Sequence, residues 1–288
     1  MSQQNLAKLI SLAFTEDRVF NDKTSDLSLA KNSQTSFAIK TREPIIFCGK
    51  EIILEVFKQL KQTKKFKNSS INIEFFGNDK DSFKSGETIA QGKGCARLIF
   101  ASERIILNFI QHLSGISTTT NQFVRALNNP KISILDTRKT LPGYRFLQKY
   151  AVICGGGKNH RHNLSSQILI KDNHLASSEK NINELISSSK KKYQNLKTEI
   201  ECDQYFQVLE ALKSNPDIIM LDNMNRQNLI KSIKEIRRAN SKIIIEISGG
   251  INLENIKNYR DLDIDYISIG SLTHSIRAVD IGVDINLK

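Results

Sequence analysis

A chain of 288 residues with 39% hydrophobic and 25% charged residues has a globular composition and is long enough for one large barrel or two ordinary domains. No apolar run approaches the length that spans a bilayer, and the opening MSQQNLAKLI lacks the apolar core and cleavage site of a signal peptide. The four cysteines form no CxxC pair, which argues against a disulfide framework or a zinc knuckle. We therefore expect a cytoplasmic protein with reduced thiols and no membrane contact.

The basic excess, 42 Lys and Arg against 30 Asp and Glu, first suggests a nucleic-acid partner. Much of it lies in Lys-rich tracts at 58–67 and 187–197, which are typical of solvated helix faces and a variable loop. No nucleic-acid-binding motif accompanies these tracts, and aromatic residues are not interleaved with the basic ones. We expect no nucleic acid as partner, because anionic small substrates explain part of the charge better.

The first hundred residues combine helical patterns with strand-like segments typical of an antiparallel sheet. They predict a small α+β open-sandwich domain over 1–103, and we expect the C-terminal tail, 276–288, to pack on it. A long helix from an N-cap at Ser102 to about Leu127 leads out of this domain. The predicted segments are helices 3–14 and 49–61 and strands 36–49, 71–83 and 87–100.

From residue 131 onward, short runs rich in Ile, Val and Leu alternate with helical patterns. Runs this apolar suit parallel strands covered on both faces, and repeated strand–helix–strand units build a parallel sheet. Seven such runs predict an α/β fold, an incomplete barrel of seven strands instead of eight, over 104–275. The runs are KISILDT, AVICGGG, QILIKDNH, TEIECD, DIIMLDN, KIIIEISGG and DYISIGS, and helices at 179–192, 204–214, 225–240 and 252–260 separate the last five.

Charged side chains follow the first of these runs, at the strand end where a barrel places its active site. Arg138 and Lys139 stand between a buried strand and the turn at Pro142-Gly143. They could be ordinary surface charges. Two cations held in this position nevertheless favour a site for an anionic ligand.

Further cations follow the second and third runs. His160 and His162 have a metal-ligand spacing known from barrel hydrolases, but there the pair opens the first strand, whereas here it follows the second. Arg161 lies between them. Lys171 ends the third run and could simply pair with the adjacent Asp172.

The remaining runs end in carboxylates and glycines. Glu201 and Asp222, at corresponding ends of neighbouring strands, are typical of a hard-cation site for Mg²⁺. Ser248-Gly249-Gly250 precedes a helix predicted from Asn252, and Gly270 ends the last strand. Backbone N–H groups at a helix N-terminus after the last two strands of a barrel predict a phosphate cradle. Together these features call for a phosphate, a metal-chelated polyanion and a further acidic group, as in phosphoribosyl pyrophosphate with a carboxylate-bearing base.

The motifs that carry this chemistry resemble those of the quinolinate phosphoribosyltransferase family, in order and spacing, from about residue 100 to the C-terminus. The N-terminal domain is similar only loosely, because EDRVFNDKTSD (16–26) lacks the usual Gly-Asp of the family's acidic stretch. Ser117 and His162 are mild departures. The matching motifs are ERIILNFIQHLSGIST, DTRKTLPGYR, GGGKNHRHNL, ILIKDNH, TEIECD, IMLDN, IEISGGI and ISIGSLTHS.

The resemblance implies transfer of phosphoribosyl from phosphoribosyl pyrophosphate to quinolinate with loss of CO₂, giving nicotinate mononucleotide and pyrophosphate for de novo NAD synthesis. It also implies Mg²⁺ held by Glu201 and Asp222, partly through the substrate, and a homodimer or higher oligomer whose active site is shared between subunits. The implied site residues are Arg104 from a partner subunit, Arg138, Lys139, His160, Arg161 and Lys171 for quinolinate; Glu201, Asp222, Ser248, Gly249, Gly250, Gly270 and His274 for the phosphoribosyl group; and Lys139, Lys171, Glu201 and Asp222 for catalysis.

Three alternatives stay open at the level of sequence. Another barrel enzyme of phosphorylated metabolites would share the phosphate cradle but would not explain the cluster of Arg138 and Arg161. A molybdenum-associated homologue of the same fold, acting on a different acidic base, would share most of the motifs. A basic nucleic-acid-binding protein would explain the net charge and nothing else.

Overall fold

The structure of the protein, a computed structural model, describes residues 3–286. The chain forms two compact units. The first is built from the described parts of Met1–Asn121, Pro142–Gly156 and Ser275–Lys288, and the second from Gln122–Leu141 and Gly157–His274. The predicted boundary between residues 103 and 104 falls inside one continuous helix. No helix within 3–286 is long and apolar enough to cross a membrane.

Helices and strands follow one another along the whole described chain. In chain order they are α1 Gln3–Glu16, α2 Lys23–Ser28, β1 Gln34–Thr41, β2 Ile45–Ile46, α3 Lys50–Gln62, β3 Ile71–Phe75, β4 Ser82–Phe83, β5 Thr88–Cys95, α4 Ala96–Leu127, β6 Ser133–Leu135, α5 Arg145–Cys154, β7 Ile168–Ile170, α6 Asp172–Ala176, α7 Ile182–Lys192, β8 Thr198–Cys202, α8 Tyr205–Leu212, β9 Ile218–Asp222, α9 Arg226–Ala239, β10 Ile244–Ser248, β11 Tyr266–Ser268, α10 Ser271–His274 and β12 Ile281–Asn286, with 3₁₀ turns at Val19–Asn21 and Ile256–Tyr259.

An antiparallel sheet, in the order β12-β1-β5-β3, forms the framework of the first unit. The C-terminal strand β12 pairs along β1, with Ala38 opposite Asp284. The apolar residues of α3 recur at helical spacing and so share one face of the helix, and this face is buried. Asp79 caps this helix by accepting hydrogen bonds from the backbone N–H groups of Gly49 and Lys50.

Helix α4 begins at Ala96, directly after β5, and not at the predicted N-cap Ser102. The buried stripe of this helix already starts at Leu98 and Ile99 and runs through Ser102 to Ile105, which is helical spacing. Ser102 lies on that stripe, and its hydroxyl donates to the carbonyl of Ile99 at 2.8 Å. The serine therefore belongs to the helix interior, and the strand predicted over 87–100 is shorter.

The second unit contains a parallel sheet of six strands in the order β6-β11-β10-β9-β8-β7. The second predicted strand, AVICGGG, is wrong, because these residues end the helix α5. The apolar run is too short to show whether its period is that of a strand or a helix. The helical period is visible only when the buried Leu147 is included, because Leu147 precedes Ala151 and Val152 by about one helical turn.

A single bridge continues the order of the sheet on the free edge of β6. Lys158 pairs there in parallel with Leu135. The Lys158 N–H donates to the carbonyl of Ile134 at 2.8 Å, and its own carbonyl accepts from Asp136 at 3.2 Å. One residue thus occupies the position in which a seventh strand was predicted.

The helix predicted over 252–260 is also wrong, since the structure has only the 3₁₀ turn Ile256–Tyr259 there. The side chain of Asn252 accepts from the backbone N–H groups of Glu254 and Asn255, each at 3.0 Å. Asparagines that bond the local backbone compete with the helix. The other three predicted helices form, as α7, α8 and α9, with Asn181 and Asn225 as N-caps of α7 and α9.

Candidate active site

A cavity of about 780 Å³ opens at the carboxyl ends of the parallel strands. Every site residue predicted from the sequence lines it, except Arg104, which lies exposed on α4. This volume suits a small-molecule site. The predicted residues that the structure brings together are Arg138, Lys139, His160, Arg161, Lys171, Glu201, Asp222, Ser248, Gly249, Gly250, Gly270 and His274.

Parallel pairing brings these side chains together, because the carboxyl ends of adjacent strands meet at one edge of the sheet. Glu201 on β8 is opposite Met220 on β9, and Ser248 on β10 is opposite Asp222 on β9. The loops after β6 and β11 meet where the hydroxyl of Thr273 donates to the carbonyl of Lys139 at 2.7 Å.

Lys171 pairs with a catalytic candidate rather than with its neighbour in sequence. Its Nζ lies 2.5 Å from Oε2 of Glu201. Asp172 instead accepts a hydrogen bond from the backbone N–H of Asn173 at 2.7 Å. The alternative of a Lys171–Asp172 pair is therefore wrong, and the cation of Lys171 is held over the cavity.

Two glycines after β10 adopt left-handed backbone, with φ of 92° at Gly249 and 63° at Gly250. A Cβ on Gly249 would lie 2.2 Å from Oδ1 of Asn223, so a larger residue there would have to displace this side chain. A Cβ on Gly250 would meet no atom within 4 Å. Backbone at Gly250 is thus open to a ligand, although the helix predicted to follow it does not form.

His160 lies against two buried carboxyl groups. Its Nε2 is 3.3 Å from Oε2 of Glu199 and 3.5 Å from Oε1 of Glu246. Burial, as the main cause, raises the pKa of each glutamate to about 8. Burial and the nearby charge of Arg138 lower the pKa of Arg161.

Sequence reasoning assigned no role to Glu246. It lies within the apolar run IIIEIS on β10 and is 1% exposed. A charged residue in the middle of a buried strand was the available signal, since such groups are almost never fully buried without a partner. Glu199, which lies on β8 at 0% exposure, was likewise given no role.

Two family models together match most of the chain. Residues 116–284 match the C-terminal domain of quinolinate phosphoribosyl transferase, and residues 22–114 match its N-terminal domain. The chain belongs to the quinolinate phosphoribosyltransferase family. The resemblance predicted from the motifs is confirmed, including for the N-terminal region where the motif match was loose.

Relatives of this quinolinate phosphoribosyltransferase chain agree over almost its full length. It is 37% identical to the probable nicotinate-nucleotide pyrophosphorylase (carboxylating) of Bacillus subtilis, with 100% of this chain and 96% of that protein covered. It is 34% identical to the nicotinate-nucleotide pyrophosphorylase (carboxylating) of Mycobacterium leprae, covering 92% and 91%.

Solved structures agree with the fold as well. The nicotinate-nucleotide pyrophosphorylase of Francisella tularensis superposes with a TM-score of 0.90 at 34% identity, covering 99% of this chain and 98% of that one. The enzyme of the same name from Ehrlichia chaffeensis gives 0.89 at 39% identity, covering 99% of each chain. The predicted α/β class is confirmed.

Proposed function

We propose that the cavity binds quinolinate and phosphoribosyl pyrophosphate and converts them to nicotinate mononucleotide, CO₂ and pyrophosphate. The observation that carries this proposal is that the residues implied for the base and those implied for the phosphoribosyl group line one cavity. The names of the relatives favour this reaction over the alternatives of another barrel enzyme or a molybdenum-associated homologue. The product then serves NAD synthesis.

Quinolinate is a dicarboxylate, and the cavity offers cations to match it. Arg138, His160 and Arg161 are proposed to bind its carboxylates, and Lys139 and Lys171 to reach both substrates. Guanidinium groups suit this task because they bind carboxylates with a fixed, forked geometry. Such clamps orient the reacting atoms, which contributes on the order of 7 kcal/mol in favourable cases.

In the first step the ring nitrogen of quinolinate displaces pyrophosphate at C1 of the ribose. Positive charge develops on the ribose ring, and negative charge develops on the leaving group. Glu201 and Asp222 stabilise the ring charge and the ribose hydroxyls, while Lys139 and Lys171 stabilise the departing pyrophosphate. Lys171 and Glu201 form a 2.5 Å ion pair, so a cation for the pyrophosphate and a carboxylate for the ribose lie side by side in the cavity.

In the second step the C2 carboxylate leaves as CO₂, and the electron pair stays on the carbon beside the ring N⁺. That carbon then takes up a proton from solvent, which gives nicotinate mononucleotide. This charge pair needs orientation and exclusion of water more than an acid or a base. Arg138 and Arg161 would therefore bind rather than transfer protons.

A divalent cation fits the donor set at one end of the cavity. Glu201 and Asp222 are hard oxygen donors, but two carboxylates cannot fill an octahedral shell, so the substrate and water would supply the other ligands. Bound Mg²⁺ would supply positive charge to the pyrophosphate oxygens. The 5′-phosphate would lie on Ser248, Gly249, Gly250 and Gly270, with His274 beside it.

The proposed assembly is a cytoplasmic homodimer in which Arg104 of each subunit enters the cavity of its partner. Arg104 is exposed on α4 and is not among the cavity residues of its own chain. An arginine supplied by the partner would complete the cationic site for quinolinate.

A release assay tests the proposal. The protein is incubated with phosphoribosyl pyrophosphate, Mg²⁺ and quinolinate that is labelled at the 2-carboxylate. The labelled CO₂ that is released and the unlabelled nicotinate mononucleotide that forms are both measured. We expect both products in equal amounts, and neither when phosphoribosyl pyrophosphate is omitted. Absence of both products from the complete mixture, with folded protein, would refute the function.

A further inference from the structure

Two buried glutamates, Glu199 and Glu246, contact a residue of the cavity without lining the cavity themselves. They come from different strands, β8 and β10, and converge on Nε2 of His160. Burying two carboxyl groups side by side is costly unless neighbouring groups compensate them. Their contacts therefore indicate what they do.

Glu199 belongs to a closed circuit of contacts, three of which are hydrogen bonds. Its Oε2 accepts from the side-chain amide of Gln167 at 2.5 Å, and the backbone carbonyl of Gln167 accepts from the guanidinium of Arg161 at 3.0 Å. The backbone N–H of Arg161 donates to Nδ1 of His160 at 2.8 Å. Nε2 of His160, 3.3 Å from Oε2 of Glu199, closes the circuit.

This circuit fixes the tautomer of His160. A ring nitrogen that accepts a hydrogen bond carries no proton, so the imidazole proton must be on Nε2. Nε2 is the atom that faces the two carboxyl groups, and Oε1 of Glu246 lies 3.5 Å from it. Nδ1 is thereby engaged by the backbone of Arg161, and Nε2 is the one ring atom left to donate, either to these carboxyl groups or to an acidic ligand in the cavity.

We propose that Glu199 and Glu246 are positioning residues that hold the imidazole of His160 and, through its Nδ1, the backbone and guanidinium of Arg161 in the geometry that binds the acidic substrate. Neither glutamate touches substrate. Glu199 acts through both His160 and Gln167, whereas Glu246 acts through His160. That the acid is quinolinate rests on the proposed function, but the coupling between the glutamates and His160 does not.

The kinetic test compares alanine with glutamine at each position. Glu199→Ala and Glu246→Ala should raise the KM for quinolinate at least tenfold and leave the KM for phosphoribosyl pyrophosphate within twofold. Glutamine retains an acceptor oxygen of the same reach, so Glu199→Gln and Glu246→Gln should return the KM for quinolinate to within about threefold of wild type. Glu210→Gln, on α8 and paired with Lys213, is the matched control.

A second measurement follows His160 directly. Long-range ¹H–¹⁵N spectra show the ring nitrogens of the five histidines in the chain. The signal missing from the spectrum of His160→Gln is that of His160. We expect the Nε2-protonated tautomer in wild type. Each glutamine variant should shift the His160 Nε2 signal and leave the other histidines unchanged.

The outcomes distinguish a failure of the positioning role from a failure of the proposed substrate. Folded alanine variants with an unchanged KM for quinolinate, or with both KM values raised equally, would overturn the proposal. If an alanine variant does not fold, an unmoved His160 signal in the glutamine variants overturns it instead. A metal bound in stoichiometric amount to the dialysed wild-type protein, and lost in Glu246→Gln, would also overturn the proposal. Glu246 and its neighbours would then be metal ligands and not positioning residues. If wild type fails to use quinolinate but the His160 signals shift as expected, the proposed substrate is wrong and the positioning role stands.

Discussion

If the proposed roles of the cavity's arginines are right, these side chains decide which base the protein accepts. Arg138 and Arg161 both line it, and burial of Arg161 makes an unpaired charge there costly. Nicotinate has one carboxylate fewer than quinolinate and would leave a cation unpaired, a loss of roughly 2–5 kcal/mol. We expect turnover of nicotinate to be lower than that of quinolinate by about three orders of magnitude. Comparable kcat/KM values for the two bases, measured side by side, would contradict the assignment of both arginines.

The proposed dependence on Mg²⁺ would rest on two carboxylates, Glu201 and Asp222, which have different surroundings. Asp222→Ala should weaken Mg²⁺-dependent turnover at least tenfold and leave quinolinate affinity nearly intact. Glu201→Ala should have the same effect on turnover, although it also releases Lys171 from its 2.5 Å pair. Titration calorimetry of quinolinate into each variant provides the measurement. An equal loss of quinolinate affinity in Asp222→Ala would place this carboxylate in the base site instead.

The buried glutamate on β10 makes stability depend on pH. The pKa of Glu246 is raised from 4.5 to about 8, so the folded state holds a proton that the unfolded chain has lost. The free energy of unfolding should therefore fall as pH rises from about 4.5 to 8, by up to about 1.4 kcal/mol per pH unit. Glu246→Gln removes this contribution. Urea denaturation at pH 5 and pH 8 should show a smaller loss in the variant than in wild type, and equal losses would contradict burial of an ionisable group there.

At the level of elements, the turn after β10 depends on glycine for two separable reasons. Gly249→Ala introduces both a left-handed residue and a Cβ 2.2 Å from Asn223, whereas Gly250→Ala introduces only the left-handed residue. Strain of this kind costs about 1–2 kcal/mol. We expect Gly250→Ala to lose that much stability and Gly249→Ala clearly more, with the larger rise in the KM for phosphoribosyl pyrophosphate. Thermal unfolding and initial rates measure both, and equal effects would show that Asn223 moves away freely.

The strand ends were predictable from the sequence because buried parallel strands are continuous apolar runs that end in polar residues. DIIMLDN and KIIIEISGG placed Asp222 and Ser248 correctly at adjacent ends of β9 and β10. The prediction of a strand from AVICGGG failed because four apolar residues, Ala151–Cys154, fit a strand and a helix equally well. The helical period shows only when Leu147 is included. The segment after Gly250 failed because its asparagines bond the local backbone.

Within the site, the sequence could place groups at strand ends but not pair them across the cavity. Lys171 directly follows β7, and Glu201 lies on the neighbouring strand β8. The adjacent Asp172 is nevertheless an equally good partner for Lys171 until the backbone direction after β7 is known. The contacts of Glu246 were beyond sequence reasoning for the same reason, because His160 comes from a loop that precedes β7.

At the scale of the whole molecule, α4 shows which part of its outer face is free for a partner. Its apolar stripe from Ile105 to Ile116 is buried. Two residues on the side opposite that stripe are covered by the same chain: Gln111 donates to the carbonyl of Ile281 at 2.7 Å, and a Cβ on Gly115 would meet the carbonyl of Arg277. Arg104 and Asn108, on the same side of the helix, are exposed.

If the active site is shared between subunits as proposed, activity should be recoverable from two inactive variants. Arg104→Ala and Glu201→Ala should each be nearly inactive, whereas Arg125→Ala, an exposed arginine on the same helix, should keep wild-type activity. Unfolding the two inactive variants together and refolding them as an equal mixture should give about half mixed dimers. Each mixed dimer has one doubly altered site and one intact site, because the intact Arg104 comes from the chain that lacks Glu201. About a quarter of wild-type activity should return. Mixed dimers that form, as native mass spectrometry would show, without any gain in activity would mean that Arg104 acts within its own chain or outside the site.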